Sequence, residues 1–392
     1  MYPFQILLLG SSPVPQAGPV AKAYTFTSPS SDVGSTGLTG SIPQTLVILT
    51  EDGGLYGTGA NLNSALTSAM FGQNAPDRYG AQWFTFETSG VVEVYPHMSG
   101  FIYKMQDGTY HIRGIMIGGT ADANNVWTAG TLNMANVKKL AVGEDHALLL
   151  MNDGTLYGVG NNSYGALGVS TQNITTPRQI DTGVADIFST QYCTAYYLKG
   201  NTLYASGFGG NGALMNGSTS NRASFAAVTV AGGTGNVQAF TAGYLGNKIK
   251  STGGTVYVTG EQYSTGSDVA LTSPTALASP PSTTTGFSFV DPLTYRDAQL
   301  LTNGDKTKYF ANPRLGRVVG LASEAGVGAQ AFVEVLTGVD HTLTTAVAVY
   351  AGGTILINNG NIYQCGLNRC FQSPQGTQNI VSPLTKTNYP LP

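Results

Sequence analysis

The sequence contains little charge. Lys, Arg, Asp and Glu together make up 10% of the 392 residues, against about 25% in an average soluble domain. The 18 basic and 21 acidic side chains leave a formal net charge of −3, and like charges never form a long run. Because nucleic-acid and anionic-membrane binding depend on clustered basic side chains, the composition predicts neither kind of partner.

Cysteine and long apolar runs are also scarce. Cys193, Cys365 and Cys370 are too few for a disulfide scaffold; Cys365 and Cys370 either bridge across a loop or, as we favour, remain thiols. No stretch reaches the ~18 apolar residues of a membrane-spanning helix. The apolar segment from Phe4 to Leu9 is shorter than the roughly 7 to 15 residues of a signal-peptide core. We therefore expect no membrane insertion and no cleaved signal.

Glycine, in contrast, is abundant, with 52 residues, which is typical of many tight turns. The clearest segment runs from Val137 to Ile180, where two short apolar runs flank Asn152-Asp153-Gly154. An Asp-Gly pair between such runs is a strong hairpin signal, with Gly supplying the positive φ of a type I′ turn. The segment therefore predicts strand, tight turn and strand.

This pattern recurs along the chain. A shift of 47 residues carries Leu156-Tyr157 onto Leu203-Tyr204 without a gap. Copies of the glycine that closes the second apolar run are Gly59, Gly114, Gly160, Gly207, Gly260 and Gly366, and a weaker copy surrounds Asn303-Gly304. The mean period of about 51 residues suits a four-stranded propeller blade better than a helical repeat. Seven units predict an all-β, seven-bladed β-propeller, which closes without open sheet edges.

The unit resembles the repeat of the regulator of chromosome condensation family. The resemblance is carried by Gly143, His146, Asp153 to Asn162, Tyr164 to Gly168 and Pro177, and it extends from Thr45 to about Leu384. It implies a seven-bladed propeller without fixing one function. The founding member of the family is a nucleotide exchange factor for a small GTPase, and relatives include secreted β-lactamase inhibitors and uncharacterised phage surface proteins. The basic chromatin-binding tail of the exchange factor has no counterpart in the first 20 residues, which contain no Lys or Arg.

Two regions are predicted: residues 1–40 as an extended N-terminal arm and residues 41–392 as the propeller. Several prolines disfavour a regular helix in the arm. Its apolar residues Phe4, Ile6 and Leu8 are candidates for burial against a neighbouring protein. The alternating segment from Ala23 to Thr27 is an alternative closing strand, paired with the last blade.

No catalytic, cofactor or metal site is predicted. His97 and His111 have no carboxylate or Cys at ligand spacing, and we place His146 and His341 at one repeating position, where a structural role is expected. The G-x-G-x-x-G motif from Gly207 to Gly212 is explained by a repeat turn.

Binding is expected on the loops between strands. Phe71, Arg78 and Tyr79 are candidate contact residues; Trp83 to Phe86 more simply belong to an outer strand of blade one. The segments from Gln262 to Ser288 and from Asn312 to Ala331 read as long surface insertions, the second with room for a short helix.

The favoured function is a non-enzymatic structural or binding protein of a bacteriophage virion: a decoration, fibre or receptor-binding component. Its expected partners are capsid or tail proteins, with several copies in one assembly. Its expected location is the virion, after synthesis in the host cytoplasm; the alternative location is cytoplasmic. The alternative functions are an inhibitor or adaptor that clamps one protein, and a nucleotide exchange factor for a small GTPase.

Overall fold

The computed structural model describes residues 18–27, 44–60, 78–97, 100–114, 118–122, 124–143, 146–189, 193–243, 246–261, 270–276, 287–289, 300–303, 305–311, 333–350, 353–367 and 380–387. Among these residues the chain forms eight antiparallel sheets, and the two-stranded one belongs to the second of seven blades. The fold is the predicted all-β, seven-bladed propeller.

Six blades contain four consecutive strands each, numbered from the central axis outwards. Blade one comprises β1 (Val20–Thr27), β2 (Gln44–Thr50), β3 (Leu55–Ala60) and β4 (Arg78–Glu87). Blade three comprises β10 (Val137–Val142), β11 (His146–Met151), β12 (Leu156–Gly160) and β13 (Ile174–Asp181). Blade four comprises β14 (Asp186–Ser189), β15 (Thr194–Lys199), β16 (Thr202–Gly207) and β17 (Arg222–Ala227).

Blades five to seven repeat this order. Blade five comprises β18 (Val237–Ala242), β19 (Gly246–Ser251), β20 (Val256–Glu261) and β21 (Ala270–Ala276). Blade six comprises β22 (Phe287–Phe289), β23 (Leu300–Asn303), β24 (Tyr309–Ala311) and β25 (Val333–Val335). Blade seven comprises β26 (Thr344–Tyr350), β27 (Gly353–Asn358), β28 (Asn361–Leu367) and β29 (Ile380–Lys386).

Blade two differs at its outer edge. Its sheet has three strands, β5 (Val91–His97), β6 (Gly100–Met105) and β7 (Tyr110–Gly114). A short ribbon of β8 (Thr120–Ala121) and β9 (Trp127–Thr128) follows, and a backbone bridge between His111 and Val126 joins it to β7. The ribbon therefore occupies the place of a fourth strand.

The ring closes where blade one meets blade seven. The inner strand β1 contacts β26, and Val20 and Ile48 pack with Ile355 and Ile357 of blade seven. The segment from Ala23 to Thr27, the alternative closing strand, does not pair with the last blade: it belongs to β1 and pairs with β2. Side-chain packing of two complete blades, rather than a shared sheet, joins the two ends of the ring.

The core lies between neighbouring blades. In β11, Ala147 and Leu149 pack towards blade two, whereas Leu148 and Leu150 pack towards blade four. Successive side chains of a strand point to opposite faces of its sheet. Because both faces are covered, all six residues of β11 are buried, and this explains why the strand reads as a continuous apolar run.

The hairpin turn of blade three forms as predicted, but its type differs. The backbone N–H of Gly154 donates to Met151 O at 3.0 Å, and Gly154 has φ 83° while Asn152 and Asp153 keep negative φ. This is a type I turn followed by a left-handed residue, the usual three-residue hairpin, so the type I′ prediction was wrong. A true two-residue type I′ turn occurs in blade seven, where Asn359 and Gly360 have φ values of 46° and 68°.

The closing glycines end the third strand with a bulge. Gly207 has φ 111°, and the pairing register with β17 shifts between Ala205 and Gly207. A Cβ atom at Gly207 would collide with Cys193 O. The repeated glycine therefore serves backbone geometry, as the sequence analysis expected.

The outer strands are edge strands, and three of them contain proline. Pro177, Pro274 and Pro383 lie in β13, β21 and β29, where a missing N–H interrupts no inner ladder and blocks edge-to-edge pairing. The segment from Gln262 to Ser288 was predicted as one long loop; this was wrong, since it contains β21 and the start of β22.

Helices contribute little to the described part of the chain. They are short 3-10 turns at Met134–Asn136, Gly210–Gly212 and His341–Leu343. None of the described helices has the length and apolar character needed to cross a bilayer. Cys193 and Cys365 are buried thiols, and burial raises the pKa of Cys365 to about 12.

Candidate functional site

One end of the propeller carries the tight turns between the second and third strands. We call this end the hairpin face and define it by Asp52-Gly53, Asp107-Gly108, Asp153-Gly154, Gly200-Asn201, Gly253-Gly254, Asp305-Lys306 and Asn359-Gly360. The inner strands start here too, because Val137 pairs with Met151 beside the turn. The opposite end, which carries connections 161–173 and 208–221, is called the loop face.

Backbone hydrogen bonds tie turns of the hairpin face to the following blade. The carbonyls of Gly53, Gly154 and Asn201 accept from the N–H groups of Val91, Val184 and Val237 at 2.9, 3.0 and 2.9 Å. Each donor lies at or just before the first strand of the next blade. The repeat therefore presents this face as one connected backbone surface.

A β-bulge recurs near the start of the inner strands at this face. The pairing register shifts at the same place in β1, β5, β10, β18 and β26. Bulges are common on sheet edges, where they redirect side chains and block further pairing. Among the bulged residues, Val92 is 51% exposed.

The residue after each bulge lies near the start of its inner strand, and four of these residues, Lys22, Glu93, Lys139 and Ala346, line the central cavity. We call the set the mouth ring: Lys22, Glu93, Lys139, Ala239 and Ala346, together with Asp186, which holds the corresponding place in β14. Blades one to four thus place alternating positive and negative groups around the axis, whereas blades five and seven place alanine.

Two adjacent members of the ring, Lys139 and Asp186, form an ion pair. Lys139 Nζ lies 2.7 Å from Asp186 Oδ1, with side chains 38% and 39% exposed, and 4.8 Å from the centre of the Phe188 ring. The Asp186 carboxylate also accepts from the N–H of Ile187 at 2.8 Å. Such half-exposed pairs contribute little to stability.

The side chain of Glu93 accepts a hydrogen bond from a residue of the same strand. The hydroxyl of Tyr95 donates to Glu93 Oε2 at 2.7 Å. Burial, together with the charge of Glu93, raises the pKa of Tyr95 well above its ordinary value. Tyr95 therefore remains a hydrogen-bond donor that fixes the Glu93 carboxylate at the mouth.

A central cavity of about 480 Å³ is lined by the inner strands. Its aromatic lining includes Tyr24, Phe188, Phe240 and Tyr309, and its charged lining includes Lys22, Glu93, Lys139 and Lys306. Lys306 has φ 58°, in the turn position that glycine occupies in blades one, two, three and five. Left-handed backbone is unfavourable for a side-chain-bearing residue, so a lysine here is an outlier at the cavity mouth.

Further charged groups cluster on the hairpin face. Hydrogen bonds from Thr109, Thr155 and Thr307 hold the pKa of the turn carboxyls Asp107, Asp153 and Asp305 below the usual value. Lys199 Nζ lies 2.8 Å from Asp181 Oδ1 beside the turn of blade four. In contrast, the loop-face connections 161–173 and 208–221 contain no charged residue.

The residues predicted as a binding site are only partly placed. Phe4, Ile6, Leu8 and Phe71 lie outside the described residues. Arg78 and Tyr79 begin β4, where their backbones pair with Ala60 and Gly59.

The aromatic residues nearby have a structural role. Trp83, Phe84 and Phe86 lie in β4, the outer strand of blade one, as the simpler interpretation held. Phe86 is 8% exposed, and its ring centre lies 5.2 Å from that of Phe101 in blade two. The segment from Asn312 to Ala331 lies outside the described residues.

The histidines do not share one repeating position. His146 begins β11 and is fully buried, whereas His341 precedes the inner strand β26 in a 3-10 turn and contacts Leu336 O through Nε2 at 2.9 Å. The shared placement predicted for them was wrong, because the local G-x-x-H match ignored which strand follows. Within the described ranges no three His, Cys, Asp or Glu side chains form a metal-binding group.

The glycine-rich motif from Gly207 to Gly212 carries no phosphate site. It joins the end of β16 to the three-residue turn Gly210–Gly212, and strand β17 follows. A phosphate-binding loop needs the N-terminus of a helix. The motif is a repeat turn, as the sequence analysis proposed.

Sequence reasoning missed the mouth ring. The available signal was that Lys139 and Asp186 are 47 residues apart, the same shift that superimposes the glycines of blades three and four. An alignment of charged residues, rather than of Gly and Leu alone, would have found it.

Comparisons with known proteins agree with this architecture. Residues 137–166 match the family model described as regulator of chromosome condensation (RCC1) repeat. The crystal structure of human WBSCR16 shares the fold with a TM-score of 0.62 and 14% identity, over 82% of this chain and 87% of that chain. The chain is a seven-bladed propeller of the regulator of chromosome condensation type.

Yeast RCC1 (Prp20), solved in complex with Kap60, superimposes with a TM-score of 0.50 and 15% identity, over 88% of this chain and 73% of that chain. Another structure, Prp20p of Saccharomyces cerevisiae, described with its binding to Gsp1p and histones, has a TM-score of 0.50 and 14% identity over 95% and 87% of the two chains. At these identities the likeness shows the shared fold alone.

The curated relatives are much longer proteins. Human probable E3 ubiquitin-protein ligase HERC4 is 32% identical over 115 residues, which are 27% of this chain and 11% of HERC4. The rat and mouse proteins match equally. The match thus covers about a tenth of the length of these relatives.

Proposed function

We propose that this propeller is a non-enzymatic protein-binding module that recognises its partner with the hairpin face, centred on the mouth ring. One observation carries the proposal: at equivalent positions near the start of the inner strands, blades one to four place Lys22, Glu93, Lys139 and Asp186, whose charges alternate in sign. Charged groups around a cleft steer partners and fix their orientation more than they stabilise a fold.

The geometry of the mouth supports recognition of a protein. Alternating charges on blades one to four offer both donors and acceptors, whereas blades five and seven carry alanine at the same position. The cavity adds aromatic surface from Phe188 and Phe240, a residue type enriched where proteins bind. Protein partners of propellers with this fold, such as Kap60 on yeast RCC1, lend support to the same class of function.

A matched pair of variants tests which face binds. Lys22→Gln with Lys139→Gln removes two positive charges from the mouth ring, and Gln172→Glu with Thr219→Glu adds two negative charges to the loop face. Partner proteins are captured on each variant from the source extract and identified by mass spectrometry, and the association rate of the recovered partner is then measured.

The hairpin-face variant should lose about tenfold or more in association rate, with a weaker dependence on salt, while the loop-face variant binds normally. The opposite result would transfer recognition to the loop face and refute the proposal.

The identity of the partner decides among the finer functions. One finer function is a virion protein: a decoration, fibre or receptor-binding component held by capsid or tail proteins. This assignment rests on low charge and on the Gly-, Ser- and Thr-rich composition. Presence of the protein in a mass-spectrometric inventory of purified virions tests it. Recovery of a small GTPase would favour nucleotide exchange, and recovery of one soluble protein would favour the inhibitor or adaptor.

A further inference from the structure

Lys248 is a buried lysine in the interior of blade five. Its side chain is 3% exposed. The residues on either side of it, Asn247 and Ile249, face blade four: Asn247 Nδ2 donates to Tyr196 Oη at 3.2 Å, and Ile249 packs with Tyr196. Because side chains alternate along a strand, Lys248 points to the other side of the sheet, towards blade six.

The same position carries an aliphatic or aromatic side chain in five other blades. Lys248 pairs with Val258, two residues before the closing glycine Gly260. The residues with this pairing elsewhere are Val47, Ile102, Leu148, Tyr196 and Ile355, and all are fully buried. Blade five therefore places an amine where the repeat otherwise places part of its core.

Nothing compensates the amine. Lys248 Nζ has no hydrogen-bond partner, and the residues beside it on β18 and β20 are Thr241 and Val258. A buried ammonium without a partner is strongly unfavourable, so such groups lose their proton instead. Burial accordingly lowers the pKa of Lys248 to about 7.

The other charged groups at this joint do not reverse that effect. Lys250 lies on the same side of β19, two residues closer to the hairpin face. In blade six, Tyr309 and Val335 pack towards blade seven, so Lys308 and Glu334 project towards blade five. They pair with each other at 2.9 Å, so these two side chains add no net charge beside Lys248 in the described part of blade six.

We propose that the joint between blades five and six is a pH-sensitive seam of the ring: it closes fully when the Lys248 amine is neutral and is loosened when the amine is protonated. The seam supplies the propeller with one place where a modest change of pH alters the contact between two blades. The equivalent positions named above carry no amine, and the phenol of Tyr196 keeps its proton because burial raises its pKa.

The direction of the effect follows from proton linkage. In the unfolded chain a lysine titrates near 10.4, whereas in the folded chain Lys248 titrates near 7. Between these values the unfolded state binds more protons, so folding stability rises with pH. The equilibrium constant changes by up to about tenfold per pH unit across this window and is insensitive to Lys248 below it.

The experiment compares wild type with Lys248→Met by chemical unfolding from pH 6 to pH 10. Leu148→Met, at the equivalent place in blade three, is the matched control. Wild type and the control should gain stability between about pH 7 and pH 10, whereas Lys248→Met should lose this gain and be more stable than wild type at pH 7. Equal pH profiles in wild type and Lys248→Met would overturn the proposal.

Hydrogen exchange of the wild-type chain provides a test that does not depend on a variant. After correction for the intrinsic pH dependence, amides of β19 and β20 that exchange through local opening should gain protection from pH 6.5 to pH 9, while locally opening amides of β11 and β12 in blade three stay constant. Unchanged protection in β19 and β20, or an equal change in blade three, would also overturn it.

Discussion

Lys139 of blade three and Asp186 of blade four form an ion pair of 2.7 Å, although the two residues hold the same place in successive blades, 47 residues apart. The charge at this position changes sign between the two blades, so these two copies of the repeat form an ion pair at the mouth of the central cavity. The pair is close to 40% exposed on both sides.

This exposure sets the first prediction. Asp186→Asn should lower the free energy of unfolding by less than about 1 kcal/mol, because exposed ion pairs are screened by solvent. It should nevertheless weaken partner binding at the hairpin face. The double variant Lys139→Asp with Asp186→Lys keeps the pair and serves as control; chemical unfolding measures stability. A loss of several kcal/mol in Asp186→Asn would show that the pair is structural.

The second prediction concerns the turn of blade three. Gly154→Val should lower the free energy of unfolding by more than about 1 kcal/mol, because Gly154 has φ 83° and a β-branched residue is strained there. Gly154→Asn, which tolerates this conformation better, is the control and should lose less. Thermal unfolding measures both; equal midpoints for wild type and Gly154→Val would contradict the turn described above.

The third prediction concerns the corresponding turn of blade six. Lys306→Gly should raise the stability by up to about 1 kcal/mol, since glycine relieves the left-handed strain at φ 58°. Lys308→Gly, outside that conformation, is the control and should not stabilise. If partner affinity falls while the melting temperature of Lys306→Gly rises, the strained lysine serves binding; a lower melting temperature would contradict the strain argument.

The fourth prediction is that His146→Ala acts on stability alone. His146 is fully buried at the start of β11, and its ring lies against Gly143. Removing it should lower the melting temperature by leaving a cavity, with unchanged partner affinity for the protein that remains folded. His111→Ala, at a partly exposed position, is the control. Loss of affinity without a change in melting temperature would assign His146 to the site.

The fifth prediction divides the N-terminal region. Removal of residues 1–16 should leave the propeller folded and prevent attachment to its assembly, which tests the proposed arm with Phe4, Ile6 and Leu8. Removal through Ser28 should also lower the melting temperature, because it deletes β1 with the buried Val20 and Tyr24. Normal assembly of the shorter deletion would eliminate the arm hypothesis.

The limits of sequence reasoning are visible in particular residues. The Gly-Thr-Leu-Tyr pattern predicted the hairpins, but not that Gly154 follows a type I turn while Asn359-Gly360 form type I′, since both turn types use the same residue types. The G-x-x-H match placed His341 beside His146, but the inner strand β26 follows His341. Local patterns do not state which strand of a blade they precede.

The sequence by itself determined the repeat: glycine spacing, apolar runs buried on both faces and Asp-Gly turns admit few folds other than a seven-bladed ring, because each unit can bury its core only against another. The tertiary structure decided the rest. Only the closed ring brings Lys22, Glu93, Lys139 and Asp186 around one axis and turns Lys248 towards blade six. These contacts join residues of separate blades, and the packing of one blade on the next, rather than neighbours along the chain, fixes which residues meet.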